Sequence, residues 1–98
     1  MIVEFSGVVF RWEARSDAWF FVALPTELSA DIREMPRMPR GFGAVAVTAV
    51  VAGHEWRTSI FPDGARGAYV LPLKRAVREA AGAAEGDDIV VTLRLAEG

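Results

Sequence analysis

The chain of 98 residues contains no cysteine. Disulfides, thiolate metal sites and a cysteine nucleophile are therefore excluded. A protein without thiols suits a reducing compartment, and a cytoplasmic location is expected. Histidine occurs once, at position 54, and one imidazole cannot build a usual zinc site alone. No metal and no cofactor are expected. Long apolar runs are missing as well. The opening "MIVEFSGVVFRWEARSD" lacks a basic start and is interrupted early by acids, so it reads as neither a signal peptide nor a membrane span. A basic excess is also absent: eleven Lys and Arg face thirteen Asp and Glu, for a net charge of −2. Nucleic-acid binders usually carry surplus cations, so nucleic acid is not an expected partner. Ten of the eleven bases are Arg and Ala is abundant, a pattern that reads as high-GC coding bias.

What is present is a series of strand-length apolar runs in a chain that suits one domain over residues 1–98. "IVEFSGVVFRW" (2–12) and "AWFFVAL" (18–24), rich in aromatic and β-branched residues, flank the polar "EARSD" and predict a hairpin. In "LPTELSADIREM", Leu24, Leu28, Ile32 and Met35 recur at helical spacing, with Thr26 placed to cap the helix and Pro36 and Pro39 to end it. "AVAVTAVV" (44–51) and "HEWRTSIF" (54–61) flank Ala52-Gly53, a tight turn. After the turn "PDGARG" (62–67), the strand "AYVLP" (68–72) leads into a helix over 73–81. Leu73, Ala76, Val77, Ala80 and Ala81 form its apolar stripe, and Gly82 stands at its C-terminal cap. "DIVVTLRL" (88–95) alternates and closes the chain. Strand, Leu-Pro, short helix, strand occurs twice, at "FVALP" and at "AYVLP". Two halves, each too small to bury its own apolar face, would close together as a small β-barrel with two short helices.

"VEFSGVVFRW", "WFFVALPTE", "RGFGAVAV", "EWRTSIFPDG", "AYVLPLKRAVREA" and "EGDDIVVTL", in that order, resemble the domain-of-unknown-function family 1905 over nearly the whole chain. The resemblance implies a compact double-split β-barrel and no activity; members fused to other small bacterial domains suggest a module. Residues 69–95 are also similar to the swapped-hairpin domain of AbrB- and MazE-type transcription regulators. There, Lys74, Arg75, Arg78 and Arg94 are matched by Glu79, Glu85, Asp87 and Asp88. A neutral hairpin supplies little phosphate affinity, which favours scaffold.

No residue reads as catalytic. His54 follows a turn and reads as a strand-end residue. Thr58 and Ser59 lack a nucleophile elbow and alternate to opposite faces. Asp87-Asp88 points its carboxyls apart, and Asp87 suits a turn. An enzyme is not expected. Trp12, Trp19 and Trp56 are expected in the core, the common fate of large aromatics, with a ligand pocket or stacking platform as the alternative. Trp12 and Trp19 flank the first turn and so lie near a barrel end. On the strand after Gly53, Trp56 and Ile60 face inward and Arg57 lies outside or at a mouth. Arg33, Arg37 and Arg40 in "REMPRMPRG" make a local positive patch, either solvated or a dock for an anion or an acidic partner. "GFG" (41–43) is no phosphate loop, since no helix follows. Lys74 and Arg75 oppose the dipole of the second helix at a cost of some tenths of a kcal/mol, a placement that can mark an anion site. The expected function is a non-enzymatic module that binds a small ligand or a protein partner. Its site would be a barrel mouth near Trp12, Trp19, Arg57 and Lys74, or the patch of Arg33, Arg37 and Arg40. The alternative is a DNA-binding regulator of the swapped-hairpin type.

Overall fold

The computed structural model describes residues 1–14, 17–35 and 43–95. Its elements run β1 (Ile2–Ala14), β2 (Asp17–Ala23), α1 (Thr26–Glu34), β3 (Val45–Val51), β4 (His54–Asp63), β5 (Ala68–Pro72), α2 (Arg75–Ala81) and β6 (Asp88–Leu95). Every strand pair is antiparallel, and the sheet closes on itself in the order β1-β2-β5-β4-β3-β6. The mostly-β barrel with two helices expected from the sequence is the architecture.

Alternation builds the interior. Val45, Val47, Ala49 and Val51 of β3 and Ile89, Val91, Leu93 and Leu95 of β6 are all buried, while their neighbours are half-buried or exposed. This is the period of a strand with one face toward a core. Trp56 and Ile60 point inward, as expected, and pack with Phe5, Val9, Val22 and Leu71. Side chains fill the lumen.

Two strands serve two partners each. β1 pairs with β6 through Ile2–Val8 and then with β2 through Val9–Ala14. β4 pairs with β3 through His54–Ile60 and with β5 through Phe61–Asp63. These are the two splits of the barrel. Beside the first of them sits Gly7, where a Cβ would overlap Val22 Cγ2 and lie 3.0 Å from the Ala23 carbonyl oxygen.

The strand order is unchanged when β1 is exchanged with β4, β2 with β5 and β3 with β6. The twofold echo in the sequence is therefore a twofold in the topology, but the halves align differently from the two Leu-Pro pairs. The Leu24 N–H donates to the Tyr69 carbonyl and the Leu73 N–H to the Phe20 carbonyl, both at 2.9 Å. Leu24 thus matches Leu73, and Pro25 matches Lys74. The helices follow the same match, starting at Thr26 and Arg75. Pro72 lies within β5, opposite Phe21.

Local details correct several expectations. Thr26 is the first residue of α1 and not its cap; Pro25 holds the cap position, with no side-chain hydrogen bond. α2 begins at Arg75 rather than at residue 73, because Lys74 is still extended, at φ −68° and ψ 151°, and the Leu73 N–H continues the strand by donating to Phe20. Leu73 and Val77 are buried and Ala81 is partly so, but Ala76 and Ala80 of the expected stripe face solvent. Gly82 caps α2 in the left-handed conformation, as expected, at φ 61°. The Asp87 carboxylate accepts from the Ala84 N–H at 2.8 Å, holding the turn before β6. Ser29, unremarked in the sequence, is fully buried on α1 and accepts from the Tyr69 N–H at 3.0 Å, which ties α1 to β5.

Candidate functional site

The candidate site grows from the β1–β2 hairpin. Trp12 stands opposite Trp19 and Phe10 opposite Phe21, so these four rings share one face. That face is the outer one, since Val9 and Val22, one residue along, are buried in the core. Phe21 is only 5 % exposed and forms the floor. The rings of Phe10, Trp12 and Trp19 lie 5.8, 5.9 and 6.3 Å from its centroid, within the range of favourable aromatic pairs. The two indoles remain 57 % and 55 % exposed. Trp56 alone of the three tryptophans meets the core expectation. Trp12 and Trp19 depart from it because the core takes up the opposite face of the hairpin, through Val9 and Val22, which leaves their shared face on the outside.

Pairing with β5 and β4 widens the aromatic surface. Pro72 sits beside Phe21, and Phe61 comes in beside Val70. The result is a groove of about 1050 Å³ on the outer wall of the barrel. Arg66 borders it, with its guanidinium 3.7 Å from the Phe10 centroid and Nε 3.3 Å from Asp63. Asp63 also accepts from the Ala65 N–H at 3.1 Å, so this rim is held by its own contacts.

A second depression, of about 340 Å³, adjoins the first and shares Trp19, Thr58 and Pro72 with it. It lies against α2, and Phe20, Trp56, Lys74, Arg75 and Arg78 complete its wall. Arg75 is committed to Glu79 at 3.0 Å. The Arg78 guanidinium lies 3.8 Å from the Phe20 centroid, a cation–π distance. Its Nε is buried and has no hydrogen-bond partner among the described residues. A buried donor left unpaired is costly, which makes this atom the most demanding polar group of the site. Chemically, the surface offers flat apolar faces for stacking next to cations.

Of the residues singled out from sequence, Trp12, Trp19 and Lys74 line this continuous surface. Its main part is the outer wall, and the end beside α2 is the smaller part. Arg57 stands apart, exposed and opposite Thr48 in the β3–β4 ladder. Arg33 is exposed on α1, 5.9 Å from the Tyr69 ring centroid; Arg37 and Arg40 lie outside the described residues. Sequence reasoning missed Phe10, Phe21 and Phe61 as groove residues, and Arg78. Alternation along "FRW" and "WFF" carried the signal for the first two, whereas Phe61 arrives through a long-range pairing. Segment 69–95 supplies β5, α2 and β6 to one barrel, with β5 between β2 and β4, and β6 between β3 and β1. Among the described residues, no helix is long and apolar enough to cross a membrane, and no group of three or more His, Asp or Glu is placed to hold a metal ion.

No curated protein matches the chain. The model of the family described as "Domain of unknown function (DUF1905)" matches residues 5–93.

Proposed function

The chain belongs to the DUF1905 family, whose description names no activity, and on its own geometry we propose that it is a non-enzymatic module that binds a small planar ligand. The observation that carries this reading is the pair of half-exposed indoles, Trp12 and Trp19, set around Phe21 in a groove. Large apolar rings left in water at one spot on a small protein mark an interaction surface. The groove has the volume of a small-molecule site. A protein partner would use the same surface and is the second occupant of this reading. We place the protein in the bacterial cytoplasm, in keeping with a chain that contains no cysteine. The regulator alternative has less behind it, since segment 69–95 is charge-neutral.

The test is a titration of ¹⁵N-labelled protein with a panel of planar aromatic compounds, followed by two-dimensional NMR. Binding is expected to move the indole N–H signals of Trp12 and Trp19 and the amides of Phe21 and Phe61. The Trp12→Ala/Trp19→Ala double variant should lose the response while keeping the barrel's spectrum. Shifts confined to β3 and β6, with both indoles unmoved, would remove the reading.

A further inference from the structure

The topological twofold makes the two halves of the barrel comparable, and they differ at one place. Matching Leu24 with Leu73 pairs Tyr69 with Phe20 and Ser29 with Arg78. In the first half, Ser29 closes the contact of its helix on the sheet by accepting from the Tyr69 N–H at 3.0 Å, with both residues buried. In the second half, no such closure is made among the described residues. Arg78 occupies the serine's position over a half-exposed Phe20, its Nε buried and without a partner among the described residues, and a depression opens beside it. One half closes this contact with a hydroxyl; the other places a guanidinium there, beside a depression.

Charge runs the same way. The described residues lining the two depressions include Arg11, Arg66, Lys74, Arg75 and Arg78 against one carboxylate, Asp63. The whole chain has a net charge of −2, so the cations are gathered at this surface against the overall balance. Arg66 and Arg75 are engaged with Asp63 and Glu79. Lys74 has no ion pair among the described residues, and it faces the same depression as Arg78.

We propose that the depression beside α2 is an anion subsite of the aromatic groove. The ligand is then a planar aromatic ring bearing a carboxylate or a phosphate. Its ring stacks at Trp19 and Trp12, and its anionic group is held by Lys74 and the terminal guanidinium N–H groups of Arg78, two of the cations that line the depression. A guanidinium suits this work because it offers several fixed donors to a carboxylate or phosphate while its face stays on an aromatic ring. The proposal rests on the groove being a binding surface and adds the chemistry of what it takes.

Two matched pairs of probes separate the parts. 2-Naphthoate is compared with neutral 2-naphthamide, and adenosine 5′-monophosphate with adenosine, by tryptophan fluorescence and NMR at low and physiological salt. In at least one pair the anion is expected to bind tenfold or more tightly than its neutral partner, moving the Arg78 Nε–H signal. Which pair responds tells carboxylate from phosphate. Lys74→Ala and Arg78→Gln should each erase the preference for the anion while the barrel's NMR spectrum is retained; Arg78→Gln also gives up the contact with Phe20 and should lower the melting temperature. Arg78→Lys, which keeps the charge, should restore part of it. Equal binding of anion and neutral partner overturns the anion subsite and leaves the aromatic groove standing. If neither pair binds at millimolar concentration, the small planar-ligand reading of the groove fails and the subsite with it.

Discussion

A single hydrogen at Gly7 sets how closely β1 approaches β2 beside the first split of the barrel. Any side chain there meets Val22 and the Ala23 carbonyl, both fixed by pairing with β5. Gly7→Ala should therefore cost about 1–3 kcal/mol, the usual penalty for overpacking. Urea denaturation checks it: the midpoint should fall with the slope unchanged, and a midpoint equal to the parent's would show that β2 can yield. The glycine is plain in "FSGVVF", but its reason is not, because the obstructing atoms lie 15 and 16 positions away in sequence. Trp12 and Trp19 illustrate the same limit. Alternation puts them on one face of the hairpin, yet the opposite face also offers Val9, Phe20 and Val22 to a core. Which face turned inward was decided by the strands that came to cover it.

At the scale of elements, the turns and strands were legible and the helix starts were not. β5 and β6 have the bounds read from sequence, since each apolar run ends at strong turn chemistry. α2 starts two residues later than its periodicity suggests because the chain stays extended through Lys74, where Leu73 bonds to Phe20 from the other half of the chain. The β3–β4 turn is a different case. Both Ala52 and Gly53 have positive φ, at 50° and 79°, as a two-residue hairpin of the favoured twist requires. Glycine pays little for this, but alanine's Cβ is strained. Ala52→Asn should raise stability by about 0.5–1 kcal/mol, since Asn tolerates the left-handed region better. Thermal unfolding followed by circular dichroism reads the effect, and a lower melting temperature would show that the turn relaxes in solution.

For the whole molecule, the twofold relation makes the β3–β4 turn equivalent to the junction between β6 and β1. That junction is already close in space: the Met1 amino group donates to the Leu95 carbonyl at 3.2 Å. A chain opened at Ala52-Gly53 and rejoined from its C-terminal end to Met1 by a short Gly/Ser linker should build the same barrel. Its far-UV spectrum and its single cooperative unfolding transition are expected to match the parent's. Loss of the sheet signal would show that the turn does more than connect. The halves need each other in either order, because β2 pairs with β5 and β3 with β6 across the twofold. Neither half can close a barrel alone.

The sequence by itself determined the strand alternation, the cap at Gly82, the turn at Asp87, a two-part repeat in outline and the small barrel with its resemblance to a known family. The alternation, the cap and the turn depend on neighbours one to four residues apart, where residue type and spacing act directly; the barrel followed from the number of strand-length runs and their two-part order. Only the tertiary structure decided that the aromatic hairpin shows its tryptophans to solvent, that Phe61 joins them, and that Arg78 takes the place Ser29 holds in the other half. Each of these depends on pairings between strands far apart in the chain, and no local period encodes which apolar face a distant strand will cover.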